Sequence, residues 1–183
     1  MARLILLDRD GVINTDSPDY IKNPAEWQPL PGALQAIVRL RNAGRRVAVC
    51  TNQSGIGRGL FSLPDLHAIH GKMLDELQAL GGDLDGLVFC PHLPTDGCDC
   101  RKPKPGMLLA MMQQLASKPA ETCFVGDSLK DVAAALSAGC EPILLRTGNG
   151  RDSEAKAREL GVSRVYDDLA QCATAELAEI GSC

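Results

Sequence analysis

The sequence predicts an α/β fold in which a central parallel sheet lies between two layers of helices. Three observations lead to it. Short β-rich runs at residues 4–7, 47–50, 87–90, 122–125 and 142–145, with a weaker one at 164–166, alternate with apolar residues at helical spacing over 32–43, 64–80, 106–117 and 129–138. Several of these helical stretches open on proline or aspartate and close near glycine. Finally, polar motifs follow the ends of the β-like runs, where open α/β sheets bind their ligands.

Taken in order, Leu4-Ile5-Leu6-Leu7 reads as a buried strand that delivers Asp8-Arg9-Asp10-Gly11 to its carboxyl edge. Residues 14–31 carry four prolines, several acids and the only tryptophan, and read as a structured loop overhanging that edge. Run 47–50 ends in Thr51-Asn52-Gln53-Ser54-Gly55, and run 87–90 leads through a cysteine-rich segment to Arg101-Lys102-Pro103-Lys104. Run 122–125 is followed by Gly126-Asp127-Ser128-Leu129-Lys130-Asp131, and the last dozen residues read as a terminal helix. Crossovers of this length are right-handed βαβ units, so the expected architecture is a three-layer, Rossmann-like sandwich forming one domain over residues 1–183.

The 19 lysines and arginines against 23 acids give a net charge of −4, which disfavours a nucleic-acid footprint or a membrane-surface patch. The partner expected is a small molecule, with the chain acting as a monomer. The first apolar run is too short for a signal-peptide core or a membrane span, so a reducing cytoplasm is expected, where clustered cysteines hold metal more often than they form disulfides.

Singly, each polar motif is an ordinary βα turn. In series they supply a nucleophile or metal ligand (Asp8), a second acid (Asp10), a hydroxyl (Thr51), a fixed cation (Lys102) and another metal ligand (Asp127). That set suits phosphoryl transfer. A phosphate dianion repels an attacking carboxylate, so Mg²⁺ held by Asp8, Asp127 and a backbone carbonyl, that of Asp10, would offset the repulsion while Thr51 and Lys102 hold phosphoryl oxygens. Asp8 would attack phosphorus, and Asp10 would protonate the leaving alcohol and later activate water.

In these four motifs the chain, from Leu4 to about Asp168, resembles the haloacid dehalogenase (HAD) superfamily of aspartate-nucleophile phosphatases. With no extra folded block after Asp10 or between Thr51 and Lys102, it is similar to the minimally capped members, whose pockets are shaped by loops. The fold so implied is HAD-like, with a cap made only of loops.

Cys90-Pro91-His92 and Cys98-Asp99-Cys100 gather three thiols and an imidazole in one short loop, residues 90–100. They form the ligand set of a closed, structural Zn²⁺ site. The loop runs directly into Arg101 and Lys102, so zinc would stiffen the segment that presents them to an anionic substrate. Of the scattered cysteines, Cys50 and Cys123 are expected in the core. The series Cys-x-His, Cys-x-Cys and Arg-Lys-Pro resembles two branches of the superfamily, the D-glycero-D-manno-heptose 1,7-bisphosphate 7-phosphatases and the histidinol-phosphate phosphatases. The first is favoured by Arg-Lys-Pro-Lys-Pro-Gly-Met, by Thr-Asn-Gln-Ser-Gly-Ile-Gly-Arg-Gly and by Asn14-Thr15-Asp16-Ser17-Pro18-Asp19-Tyr20. That resemblance implies a role in making nucleotide-activated heptose for lipopolysaccharide or surface polysaccharide. It also implies a substrate pocket lined by Asp16, Ser17, Pro18, Asp19, Thr51, Asn52, Gln53, Ser54, Arg101, Lys102 and Ser128. Two features depart from some relatives: a short stretch at 93–97, and Ser128 where others hold lysine. Arg101 suits a second phosphate, since guanidinium binds phosphate bidentately. A phosphoacceptor receiver module would share fold, Mg²⁺ and aspartyl phosphate, but its acceptor would end the third run, where this chain has Cys90. A zinc-dependent nucleic-acid binder is disfavoured by charge and by only six aromatics.

Overall fold

The protein was analysed as a computed structural model that describes residues 3–178. Six strands form one sheet: β1 (Leu4–Leu7), β2 (Arg46–Asn52), β3 (Gly86–Cys90), β4 (Thr122–Gly126), β5 (Glu141–Leu145) and β6 (Val165–Tyr166). Six helices connect or follow them: α1 (Ala33–Asn42), α2 (Leu63–Ala79), α3 (Gly106–Gln114), α4 (Leu129–Ala138), α5 (Gly150–Glu159) and α6 (Leu169–Ala178). All pairings are parallel and the spatial order is β3-β2-β1-β4-β5-β6.

Alternation along the strands splits the core into two faces. Ile5, Leu7, Val47, Val49, Cys123 and Val125 pack with residues of α1, α2 and α6, including Ile37, Ile69, Met73 and Cys172. Leu4, Leu6, Ala48, Cys50 and Phe124 pack on the other face with Met107, Met111, Ala134 and Ala138 of α3 and α4. Cys50 and Cys123 are both fully buried, as expected. The chain steps from β1 to β3 with helices on one face, then from β4 to β6 with helices on the other, as a single crossover hand requires. Opposite stepping opens a crevice between the carboxyl ends of β1 and β4. Asp8 follows β1 and Asp127 follows β4, so the topology alone brings them together.

Observed elements match the expected ones to within a few residues. Helix α5 is the exception, because its sequence Gly-Arg-Asp-Ser-Glu-Ala-Lys-Ala-Arg-Glu buries only Gly150, Ser153 and Ala157 and carries almost no apolar stripe. The expected terminal helix is present as α6; residues 179–183, including Cys183, lie outside the described residues. Among the described residues no helix is long and apolar enough to cross a membrane.

Residues 14–31 run over the sheet edge, where Asp16, Ser17, Tyr20 and Ile21 line a cavity. Isolated bridges pair Asn14 with Asp10 and with Pro29. Trp27 is fully buried beneath the loop, and Lys72 of α2 lies 5.6 Å over its ring while donating to the carbonyls of Pro24 and Trp27 at 3.0 and 2.8 Å. A serine–aspartate capping box, Ser62 with Asp65, fixes the start of α2, so Lys72 projects from an anchored helix. Removing the indole should therefore free the loop. Trp27→Ala is expected to cost about 3–5 kcal/mol in urea unfolding; a cost below about 1 kcal/mol would show that the loop is held by other contacts.

Candidate active site

A cavity of about 260 Å³ opens over the carboxyl edge of the sheet. Asp8, Asp10, Asp16, Ser17, Asn52, Gln53, Ser54, Arg101, Lys102, Asp127 and Ser128 line it, joined by Tyr20, Ile21, Lys130, Asp131 and Asn149. Residues from six separate stretches of chain converge there.

Lys102 is the centre of this arrangement. It is 2 % exposed, and its ammonium lies 2.8 Å from Asp8 Oδ1 and 2.8 Å from Asp131 Oδ1, over the ring of Phe124. Burial alone would lower its pKa, but Asp131 and Asp8 raise it, so the ammonium stays charged. Its backbone is held as firmly: the Asn52 amide donates to Lys102 O and accepts from Lys102 N, both at 3.1 Å. Asp131, also 2 % exposed, accepts from Ser128 N and Oγ at 3.1 and 2.6 Å, which ties Lys102 to the first turn of α4.

Oxygens of Asp8, Asp127 and Asp131 lie within 4.8 Å of one another. Three hard donors so spaced fit a divalent cation of the Mg²⁺ kind. Burial, with Asp131 and Asp127 adding to it, raises Asp8 well above the usual carboxylate range against the pull of Lys102. Asp127 is pushed up to about 6 by burial, opposed by bonds from Asn149 N and Nδ2 at 2.8 and 3.2 Å. Its carboxylate reaches this position only because two glycines flank it. A Cβ on Gly11 (φ +79°) or Gly148 (φ +52°) would come within 2.3 or 2.1 Å of Asp127 Oδ2.

Asp10 is held differently. Arg9 binds both its oxygens, Asn14 Nδ2 donates to Oδ1 at 2.9 Å and Gln53 Nε2 to Oδ2 at 2.8 Å. Burial would raise this carboxyl, but the Arg9 charge and these hydrogen bonds together lower it.

Several expected substrate contacts are engaged with protein groups. Gln53 donates to Asp10 and Thr51, the Asn52 amide holds Lys102, and both Ser128 donors go to Asp131. Thr51 is 1 % exposed and outside the cavity lining, its hydroxyl accepting from Gln53. Pro18 and Asp19 also lie outside the cavity. The chain turns at Tyr20, whose φ is +64°, so Tyr20 and Ile21 line the cavity instead. Arg9, Asn14, Tyr20 and Asn149 are not among the expected site residues; an arginine two positions past a buried strand, needing partners if enclosed, is the available signal for Arg9.

Beside the cavity Cys90, His92, Cys98 and Cys100 converge. Cys90 Sγ lies 3.7 Å from Cys98 Sγ and 3.2 Å from Cys100 Sγ, and His92 Nδ1 lies 3.5 and 3.3 Å from Cys90 and Cys100. Tetrahedral zinc places its sulfurs about 3.8 Å apart, so donor set and spacing both fit that ion. Arg101 Nη1 donates to His92 O at 3.1 Å, which joins the cavity wall to this loop.

The parallel sheet with acids at the ends of β1 and β4 and a buried lysine between them defines a phosphohydrolase of the HAD class, and the HAD-hydrolase-like family model matches residues 99–172. The chain is 48% identical to the D-glycero-β-D-manno-heptose-1,7-bisphosphate 7-phosphatase of Pseudomonas aeruginosa, over 95% of this chain and 97% of that one. It is similar in structure to D,D-heptose 1,7-bisphosphate phosphatase from Bordetella bronchiseptica, solved with magnesium and phosphate: TM-score 0.93, 49% identity, 97% of this chain and 99% of the other. The Burkholderia thailandensis enzyme of that name gives a TM-score of 0.73 at 41% identity, over 96% and 99% of the two chains. The chain belongs to the heptose-1,7-bisphosphate 7-phosphatase family of the HAD superfamily.

The raised Asp127 yields a prediction about stability. With a folded pKa of about 6 against an ordinary 3.8, the native protein holds an extra proton between those values and loses stability as pH rises through them. Asp127→Asn lacks that loss. Unfolding in EDTA should find the variant more stable than wild type at pH 8, by up to about 3 kcal/mol, the gap closing towards pH 4, while Mg²⁺-dependent turnover disappears. An equal gap at both pH values would rule out the buried carboxylate as its cause.

Proposed function

We propose that the chain is a Mg²⁺-dependent phosphatase that removes the 7-phosphate of D-glycero-D-manno-heptose 1,7-bisphosphate, in the route to nucleotide-activated heptose for lipopolysaccharide or surface polysaccharide. The carrying observation is the buried Lys102 bridging Asp8 and Asp131 beside Asp127, in a chain that shares 48% identity with named heptose bisphosphatases. Relatives of 47–49% identity that carry that name favour the heptose branch.

Asp8 is the nucleophile. Its carboxylate forms a bond to phosphorus as the ester P–O bond breaks, and Asp10, carrying a proton taken up from water, delivers it to the departing sugar oxygen. Water then attacks the aspartyl phosphate, Asp10 takes its proton, and Asp8 is released with inorganic phosphate. Lys102 holds a phosphoryl oxygen throughout without reorganising, because its backbone and ammonium are already fixed. Asp8, Asp127 and the backbone carbonyl of Asp10 would hold Mg²⁺, which would supply the charge that lets a carboxylate approach a phosphate dianion. Thr51, whose hydroxyl accepts from Gln53 and keeps its own hydrogen to give, supplies a second donor.

Substrate selection falls to the loops. Asp16, Ser17, Ser54 and Ser128 face the sugar, and Arg101 takes the second phosphate, its guanidinium steadied by the carbonyl of His92. Cys90, His92, Cys98 and Cys100 would hold Zn²⁺, which would keep that loop in place. The site is complete within one chain, which we take to work as a monomer in the cytoplasm.

Steady-state kinetics should give a kcat/KM at least tenfold higher for heptose 1,7-bisphosphate than for histidinol phosphate; the reverse order would remove the substrate assignment. Asp8→Asn should lose all measurable turnover, and residual activity above about one percent would displace Asp8 as nucleophile. Zinc-stripped protein assayed in excess Mg²⁺ should show a raised KM with kcat little changed, since Lys102 is anchored by Asn52, Asp8 and Asp131 independently of the metal. An unchanged KM would sink the proposed role of zinc.

A further inference from the structure

Arg9 is fully buried, and its guanidinium does two things at once. Nε and Nη2 grip the Asp10 carboxylate, while Nη1 lies 3.2 Å from Nε2 of His70 in α2. His70 is 5 % exposed and lies outside the cavity lining. Because arginine can only donate, Nε2 must be the unprotonated, accepting nitrogen of a neutral ring. Burial first, then Arg9 and His67, push His70 down to about 3 against the opposing pull of Asp10, so the ring stays neutral across the working range. Phe89 of β3 lies 6.0 Å from the ring.

A leucine would satisfy the packing of α2, where Leu66, Ile69, Met73 and Leu77 share the buried face with His70. An imidazole there costs desolvation, yet it completes the buried guanidinium's hydrogen bonds and fixes its rotation. From these contacts we infer that His70 is a positioning residue for catalysis: by accepting from Arg9 Nη1 it aims the guanidinium that holds Asp10, and so sets the proton transfer between Asp10 and the leaving sugar oxygen. This rests on the phosphatase reading above. Arg9, Asn14 and Gln53 occupy both Asp10 oxygens, so the carboxylate must shed or lengthen one of these bonds to take up the proton it delivers. A guanidinium free to rotate would offer that choice in no fixed direction.

The test separates proton delivery from folding by leaving group. A sugar alkoxide needs a proton as it departs, whereas p-nitrophenolate does not, and kcat/KM reports steps through that departure. His70→Leu should lose tenfold or more in kcat/KM on heptose 1,7-bisphosphate and less than about twofold on p-nitrophenyl phosphate. His70→Gln, whose amide oxygen can accept from Arg9, should recover to within about threefold of wild type. Equal losses on both substrates, or no rescue by glutamine, would overturn the assignment. Wild-type protein that hydrolyses neither compound would overturn the phosphatase reading and this one with it. If His70→Leu does not fold, ¹⁵N NMR of histidine-labelled wild type decides: Nε2 should keep the shift of an unprotonated acceptor from pH 8 to pH 5, and protonation near pH 6 would refute the bond.

Discussion

Four carboxylates crowded at one edge of a sheet are the constraint from which the rest of the site follows. Asp8, Asp10, Asp127 and Asp131 are each wholly or largely enclosed, and unpaired burial of so much like charge would unfold the edge. Two buried cations answer it. Lys102 bridges Asp8 and Asp131, and Arg9 grips Asp10. Asp127 is held instead by Asn149 and the glycine cradle, and burial pushes its carboxyl up to about 6. Oxygens of Asp8, Asp127 and Asp131 stay within 4.8 Å of one another, a donor set whose charge a divalent cation would offset.

That distribution depends on topology. β1 and β4 are neighbours in the sheet but lie far apart in sequence, and the chain leaves their carboxyl ends towards opposite faces. The crevice this creates is what permits Gly11 and Gly148 to close on Asp127 from two sides. Lys102 comes from neither strand. It arrives on the segment before α3 and is docked by Asn52 at the end of β2, so the cation is placed by a backbone clamp rather than by its own flexible side chain. A long lysine stem loses side-chain entropy when fixed; enclosure against Phe124 and two carboxylates offsets that loss once, during folding, rather than at each turnover.

Much of this was legible in the sequence, for identifiable reasons. Strands buried on both faces read as continuous apolar runs, and the polar residues that end them mark the ligand edge without three-dimensional information. The clustering of Cys90, His92, Cys98 and Cys100 was legible because three thiols and an imidazole in one polar loop have few uses other than holding a metal. Partnerships made across the fold were not. Asn52, Gln53 and Ser128 are polar residues in the right motifs, and sequence gives no means of telling a side chain aimed at substrate from one bonded to Lys102, Asp10 or Asp131. His70 reads as one more position on the buried stripe of α2, and its significance appears only when Arg9 is found beside it. Helix α5 escaped because it packs through Gly150, Ser153 and Ala157 alone, with the rest of its surface in water.

The same separation explains how a loop-capped site can combine a fixed reaction centre with an adjustable pocket. Groups that handle phosphorus are anchored to strand ends and to the first turn of α4, and each has two or more protein partners. Groups facing the remainder of the substrate hang from residues 14–31 and from the cysteine loop. Two residues span both sets: Asn14, at the start of the loop, donates to Asp10 Oδ1 at 2.9 Å, and Asn149 donates from N and Nδ2 to Asp127 and from Nδ2 to Asp16 at 3.3 Å. The two hydrogens of the Asn149 amide thus join the loop at Asp16 to the Asp127 carboxylate. The loop and the acids at the strand ends are in this way linked through two side chains, whereas Lys102 is held by Asn52, Asp8 and Asp131.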